Sequence, residues 1–400
     1  MTKYVVLAAA MLGLSACGGD AQETSPFVRS SDAILAELAS AILPDLARRS
    51  GLELKEPIRI EVRSRAALES YLRYKLDEQL PETEARVTVA SYALLGLVPD
   101  TLDLRAVLLG LYSEQVAGFY DPDSTALFIM DDQPGNTLQG LLIHELVHAV
   151  QDQSVDLDRL TDPDLPNDQG TAAQAAIEGH ATLVMLEYLA EQMQGAPVDL
   201  GAVPDFGAQI RRSLQGVRTQ YPALARAPRV VQEALLFPYL EGAGFVQALW
   251  ANGERVAPFG DRLPLSTEEI LTRDFDDPPV TLALSVQGGR SVHEDNLGRL
   301  ETGILLEGRL GEGGDTLAQG WGGDLYVLVD LPGGARGLAW ATVWDDIAAR
   351  DRFLEALGPE PGGFPAGATL SAQDVAGHPG ALLRVGLPAS VDVRVGLARP

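Results

Sequence analysis

The chain has one cysteine and only three lysines among its 400 residues. A single cysteine excludes an internal disulfide, a cysteine-rich zinc module and a CxxC redox site. The 30 basic residues are outnumbered by 56 acidic ones, and the net charge of −26 repels nucleic-acid phosphates. No window gathers the basic residues into a stripe, so we expect no nucleic-acid partner.

Hydrophobic residues make up 46% of the chain and charged residues 22%, which is enough apolar material to bury real cores. A chain of this length exceeds the usual limit for a single core. We therefore expect a folded protein of two or three domains rather than a disordered polyelectrolyte.

The single cysteine, Cys17, ends an N-terminal export pattern. Lys3 supplies a basic start, an apolar run follows from Val5 to Leu14, and small residues precede the cysteine. A run of about ten apolar residues is typical of a secretory signal, whereas a membrane span takes about 20. Small residues before a cysteine that glycines follow resemble the bacterial lipoprotein signal, in which the cysteine is lipidated. An ordinary signal peptide with a chance cysteine is the alternative; we expect export and a lipid anchor to the bacterial cell envelope at Cys17, facing the periplasm or on the outer membrane.

The strongest motif lies in a helix predicted from Asn136, as its cap, to about Gln153. His144 and His148 lie four residues apart, which on a helix means about 40° in azimuth and about 6 Å in rise. Two imidazole nitrogens can then meet one ion at about 2.0–2.1 Å, while Glu145 can hold a water bound to it. With five histidines in the chain, chance predicts on the order of 0.004 such H-E-x-x-H matches.

A catalytic zinc ion takes a third protein ligand. The continuation H-x-x-G-x-x-H is excluded, because Gln151 and Ser154 occupy its positions. Glu178, on the next predicted helix, is the best candidate, since the following Gly179 permits close approach of two helices. His180 points about 160° away from Glu178, so only one of the two can face the ion; we favour Glu178 and expect Thr182, one turn on, to contact a ligand histidine.

A hairpin is predicted just before this helix. Two short apolar runs flank the turn-forming residues 121–124, whose sequence is Asp-Pro-Asp-Ser. The second run, Ala126–Met130, is our candidate for the edge strand of a cleft, where an extended peptide adds as an extra strand.

The H-E-x-x-H motif with a glutamate on the following helix resembles the gluzincin branch of zinc metallopeptidases. More specifically, six segments between residues 58 and 345 are similar to a group of uncharacterised predicted metallopeptidases, many of them bacterial lipoproteins. Two features depart from that pattern: the 29 residues between His148 and Glu178 exceed the compact gluzincin spacing, and His180 stands where many relatives have an acidic residue. The six segments are QVAGFYDP, HELVHAVQDQ, AAIEGHATLVM, FPYLEGAGFVQAL, LSTEEIL and GWGGDLY.

The resemblance implies an exported zinc metallopeptidase that cleaves a peptide or protein substrate. Zn²⁺ would be held by His144, His148 and Glu178, and Glu145 would be the general base that activates water. The oxyanion needs a donor opposite the ion. Tyr239 is the first choice for that donor, and the alternatives are Tyr120, Tyr188, His180 and His293.

The predicted fold class is α+β, with a zincin-like metallopeptidase domain and a C-terminal α+β domain. The zincin-like part would consist of a small sheet with an edge strand, the HExxH helix and the following helix that carries glutamate. A catalytically silent relative, acting as a binding or assembly module of the cell envelope, is the alternative function. The predicted divisions are a signal peptide at 1–17, a tether at 18–30, an N-terminal α/β region at 31–100, the peptidase core at 101–279 and the C-terminal domain at 280–400. In the C-terminal domain we expect a single helix, Asp346–Leu357.

Overall fold

A computed structural model describes residues 27–203, 221–251 and 255–398, and it confirms a mixed α+β protein. Cys17 and the signal pattern lie outside these ranges. Within them, no helix combines the length and the apolar character that crossing a membrane requires.

Helices predominate in the first part of the described residues, and strands predominate after residue 280. The helices are α1 (Ala33–Ser50), α2 (Arg65–Gln79), α3 (Glu82–Leu94), α4 (Leu104–Gln115), α5 (Gly135–Asp152), α6 (Leu157–Leu160), α7 (Asn167–Gln194), α8 (Pro222–Arg226), α9 (Arg229–Trp250), α10 (Thr267–Thr272), α11 (Gly298–Leu310) and α12 (Ile347–Leu357). The strands are β1 (Val28–Ser30), β2 (Ile58–Arg63), β3 (Gly118–Asp121), β4 (Ala126–Met130), β5 (Leu282–Gln287), β6 (Arg290–Asp295), β7 (Trp321–Asp330), β8 (Arg336–Trp344), β9 (Thr369–Ala372), β10 (Gly380–Val385) and β11 (Asp392–Leu397).

The N-terminal sheet has the strand order β1-β2-β4-β3. The predicted hairpin is confirmed, since β3 pairs antiparallel with β4 across a turn in which Thr125 adopts a φ of 48°. The predicted edge strand is wrong: β4 is interior, because β2 pairs parallel with its other side. The strand at the edge is β3, and it is the strand that packs most extensively against α5.

The N-cap of helix α5 lies two residues earlier than predicted. Pro134 occupies its N-cap position and Asn136 lies within the first turn, so the expected cap at Asn136 is wrong. Pro134 has an extended conformation and marks the start of the helix, because the residue before a proline disfavours helical backbone angles. The helix packs against α1 and α7 as well as β3, and its residues from Leu141 to Val150 are almost all buried.

The helices α7 and α9 touch backbone to backbone at two glycines. A Cβ atom on Gly179 would lie 2.0 Å from the carbonyl carbon of Gly242, and one on Gly242 would lie 2.1 Å from the carbonyl oxygen of Ala175. The close approach predicted for Gly179 is therefore confirmed. The sequence pattern predicts two helices, Val230–Leu236 and Gly242–Trp250, whereas α9 continues through Pro238 as one helix.

The C-terminal residues form an antiparallel five-stranded sheet in the order β6-β7-β8-β10-β9. The small sheet of β5 and β11 covers one of its faces through a separate apolar cluster. The other face carries Trp340 and Trp344, which pack on Phe353 of α12. These aromatic residues belong to one continuous buried cluster that extends to α1 and α5.

Sequence reasoning missed α11, because its three glycines weaken the helical pattern. Its start is held by Asp324 of β7, whose carboxylate accepts from the N–H groups of Leu297 and Gly298 at 2.9 Å. The same carboxylate accepts from the indole N–H groups of Trp321 and Trp340. A buried acid with four donors thus joins the sheet to the helix layer.

The close contact between α7 and α9 predicts that a larger residue at Gly242 destabilises the protein. We expect Gly242→Ala to lower the free energy of unfolding by about 2 kcal/mol or more, because the new methyl group would meet a backbone carbonyl that cannot rotate away. Gly110→Ala is the matched control: Gly110 is an exposed helical glycine with no atom of another element within 4 Å. This control should gain about 0.5–1 kcal/mol. Urea denaturation of both variants measures the difference, and equal stability of the two would contradict the packing described.

Candidate metal centre

Three predicted ligand atoms meet between α5 and α7. The Nε2 atoms of His144 and His148 lie 3.0 Å apart. Oε2 of Glu178 lies 3.1 Å from the first nitrogen and 3.4 Å from the second. Within the described ranges, these residues are the only group of three or more His, Cys, Asp or Glu side chains whose donor atoms converge in this way.

The spacing of these three atoms fits a metal ion. Ligands at about 2.0–2.1 Å around a tetrahedral ion lie about 3.3–3.4 Å from one another, close to the edges of this triangle. The second carboxylate oxygen of Glu178, Oε1, is buried and has no hydrogen-bond partner among the described residues. A buried, unsatisfied carboxylate beside two imidazoles is costly unless a cation compensates it.

The charges of the site favour a cation. Glu178 is fully buried and His148 almost so. Burial opposes charge on both groups, but their mutual attraction prevails, so the pKa of Glu178 falls and the pKa of His148 rises. Burial also lowers the pKa of His144. The carboxylate of Glu178 thus favours a positive charge beside the two imidazoles.

Glu145 is fully buried and is oriented by the edge strand. Its Oε2 accepts a hydrogen bond of 2.8 Å from the main-chain N–H of Tyr120 on β3. Its Oε1 has no hydrogen-bond partner among the residues described. Burial raises the pKa of Glu145 to about 8, which the charge on His148 opposes. One carboxylate oxygen is thus anchored, and the other is left for a water molecule.

The first choice for the oxyanion donor, Tyr239, lies next to a ligand. Its ring centroid is 6.2 Å from that of His144, and the side chain is buried. Tyr239 reaches this position because α9 packs closely against α7 at Gly242, three residues further along the helix.

The alternative donors have other contacts. The hydroxyl of Tyr120 donates to Asp152 at 2.9 Å, and the ring of Tyr188 lies 5.7 Å from the guanidinium of Arg49. His293 pairs with Glu84, and His180 bonds to Ser50 and Gln151, so the partners of these two histidines are residues other than the three ligands.

Two functional contacts escaped sequence reasoning. Gln151 accepts a hydrogen bond of 2.8 Å from His148 Nδ1, the role that we expected of Thr182. A signal for it existed, since Gln151 follows His148 by three residues and so lies on the same face of the helix. The main-chain N–H of Tyr120 left no signal, because every residue other than proline has one.

Comparison with known proteins adds no relative. No protein-family model, no curated protein and no solved structure matches the chain.

Metal binding by this centre can be tested through stability. We expect one equivalent of Zn²⁺ to raise the melting temperature of the metal-free protein, because a ligand that binds only the native state stabilises it. Glu178→Gln should weaken zinc binding at least about 100-fold, more than loss of an outer contact does, and should abolish the rise. The matched control is Glu191→Gln on the same helix, where the carboxylate pairs with Arg49 and lies away from the ligands. A similar rise in Glu178→Gln would disprove the ligand assignment.

Proposed function

We propose that this protein is a zinc-dependent metallopeptidase of the zincin type. The observation that carries the proposal is the juxtaposition of the His144–His148–Glu178 triangle with Glu145, whose Oε1 is without a partner among the described residues. Two histidines, one glutamate and an open position are the donor set of catalytic rather than structural zinc sites. The resemblance of the motifs to gluzincins agrees with this proposal.

The three ligands would hold the ion, and a bound zinc ion supplies a Lewis acid that polarises a carbonyl group and lowers the pKa of a water molecule toward about 7. Glu145 Oε1 takes a proton from that water as the water oxygen adds to the carbonyl carbon of a peptide bond. Glu145 then passes the proton to the amine nitrogen as the C–N bond breaks. Tyr239 is the proposed donor to the oxyanion, because its ring lies beside His144.

The proposed substrate is an extended peptide. The edge strand β3 bonds to Glu145 through Tyr120, so a chain that pairs with β3 would pass beside the general base. Main-chain pairing with a sheet edge gives affinity for many sequences, and neighbouring pockets supply selectivity.

A catalytically silent binding module is the competing function. Glu145 is an argument against it, because burying a carboxylate whose Oε1 has no partner among the described residues is unfavourable for folding and a binding module gains nothing from it. A purely structural metal site has no need of that group.

The decisive experiment compares the wild type with Glu145→Gln on a peptide library. The amide keeps the size of the side chain but cannot accept the proton, so we expect kcat/KM to fall about 10²- to 10⁴-fold with zinc content unchanged. Glu191→Gln should retain activity. Zinc binding by the wild type without turnover of any peptide would favour the binding module instead.

We further propose that the protein is exported and anchored to the cell envelope by a lipid on Cys17. We expect Cys17→Ser to move the protein from the membrane fraction to the soluble fraction, since no acyl chain can then be attached. Ser15→Ala, a change between small residues in the same segment, should leave the anchor in place. Mass spectrometry of the mature N-terminus provides the direct measurement, and an unmodified cysteine in the wild type would disprove the anchor.

A further inference from the structure

A buried chain of hydrogen bonds begins at the ligand His148 and ends outside α5 and α7. His148 Nδ1 lies 2.8 Å from Oε1 of Gln151, and Nε2 of the same amide lies 3.0 Å from Nδ1 of His180. Nε2 of His180 lies 3.1 Å from the carbonyl oxygen of Ser50, the last residue of α1. Gln151, His180 and Ser50 have no solvent exposure.

The orientation of the Gln151 amide follows from a carbonyl group. One of its two terminal atoms lies 3.0 Å from the main-chain oxygen of Ile177, which can only accept, so that atom is the nitrogen. The other atom is then the oxygen, which also can only accept. His148 therefore carries a proton on Nδ1, so Nε2, which faces His144 and Glu178, is the nitrogen that can bind a metal ion.

The protonation of His180 follows by the same reasoning. The carbonyl oxygen of Ser50 can only accept, so Nε2 of His180 carries a proton. Nδ1 of His180 is then free to accept the second hydrogen of the Gln151 amide. Every donor in this series of hydrogen bonds meets an acceptor. Only one arrangement of hydrogens satisfies all four contacts, which are those of Gln151 with His148, Ile177 and His180 and that of His180 with Ser50.

We propose that Gln151 and His180 are positioning residues, which fix the tautomer and ring orientation of His148 so that Nε2 faces the metal. This inference rests on the proposed metal centre and adds residues to it. An outer contact of this kind typically contributes 10- to 100-fold in metal affinity.

A role in packing alone does not account for these side chains. The His180 ring sits between the aromatic rings of Trp250 and Phe259, with centroids 6.0 and 5.8 Å away. An apolar side chain would fill that space without the cost of burying polar atoms. The hydrogen bonds of Gln151 and His180 instead hold the His148 ring in one orientation.

The same series of hydrogen bonds links α1 to the site. The acceptor that ends it is the carbonyl of Ser50, which lies in the N-terminal region of the protein and not between the two ligand helices. Ser50 at the end of α1 thus supports the orientation of His148 indirectly, through His180 and Gln151.

The test measures zinc affinity by competition with a chelator, separately from the melting temperature of the metal-free protein. Gln151→Leu and His180→Leu should each raise the zinc Kd 10- to 100-fold. His180→Gln should stay within a few-fold of the wild type, because its amide can donate to Ser50 and accept from Gln151. His293→Gln is the matched control: His293 contacts Glu84 and Tyr326, and this change should leave the Kd unaltered.

A second measurement uses the zinc-loaded wild type and depends on no variant. Nitrogen-15 NMR of its histidines should find His148 protonated at Nδ1 and His180 protonated at Nε2. The opposite tautomer at either residue would overturn the inference, as would leucine variants that melt earlier but bind zinc as tightly as the wild type. A wild type that binds no zinc would overturn the metal centre itself. Loss of zinc affinity in the leucine variants without peptidase activity in the wild type would uphold the positioning role and reject the proposed function.

Discussion

The carboxylate of Glu178, buried between two imidazoles, sets the main constraint on this structure. It has no access to water, and one of its oxygens has no partner among the described residues. Such a group is stable only if a positive charge joins it and if the helix that carries it is held firmly against its neighbour. The backbone contact of Gly179 with Gly242 packs that helix tightly against α9 on its other side.

The segments behind the resemblance each supply a buried contact around this carboxylate or around the layers that hold it. The main chain of Tyr120 orients Glu145, and Gln151 and His180 direct His148. Thr267 binds Asp168 near the start of α7, and Asp324 holds the start of α11. These contacts come from separate parts of the sequence, and each fixes the side chain or the helix start that it reaches.

Local pattern predicted the elements better than their partners. The hairpin and the approach of a helix at Gly179 were predicted, because turn residues and small residues act over a few positions. The edge strand was assigned to β4 instead of β3, because the parallel partner β2 lies more than 60 residues away in sequence. The break expected near Pro238 is absent: packing of α9 on α7 outweighs the local preference of proline.

The sequence by itself determined which atoms can form the candidate site. The spacing of His144, Glu145 and His148 on one helix already requires two nitrogens on one side with a carboxylate beside them, because helical geometry is local. Helix geometry also indicated that only one of Glu178 and His180 can face the ion, and the preference for Glu178 rested on the neighbouring Gly179. Only the tertiary structure brought Glu178 to within 3.4 Å of both imidazoles, and only it supplied the Tyr120 amide and the chain from Gln151 to Ser50. Contacts of this kind depend on how separate elements pack, and no local pattern in a single sequence records that packing.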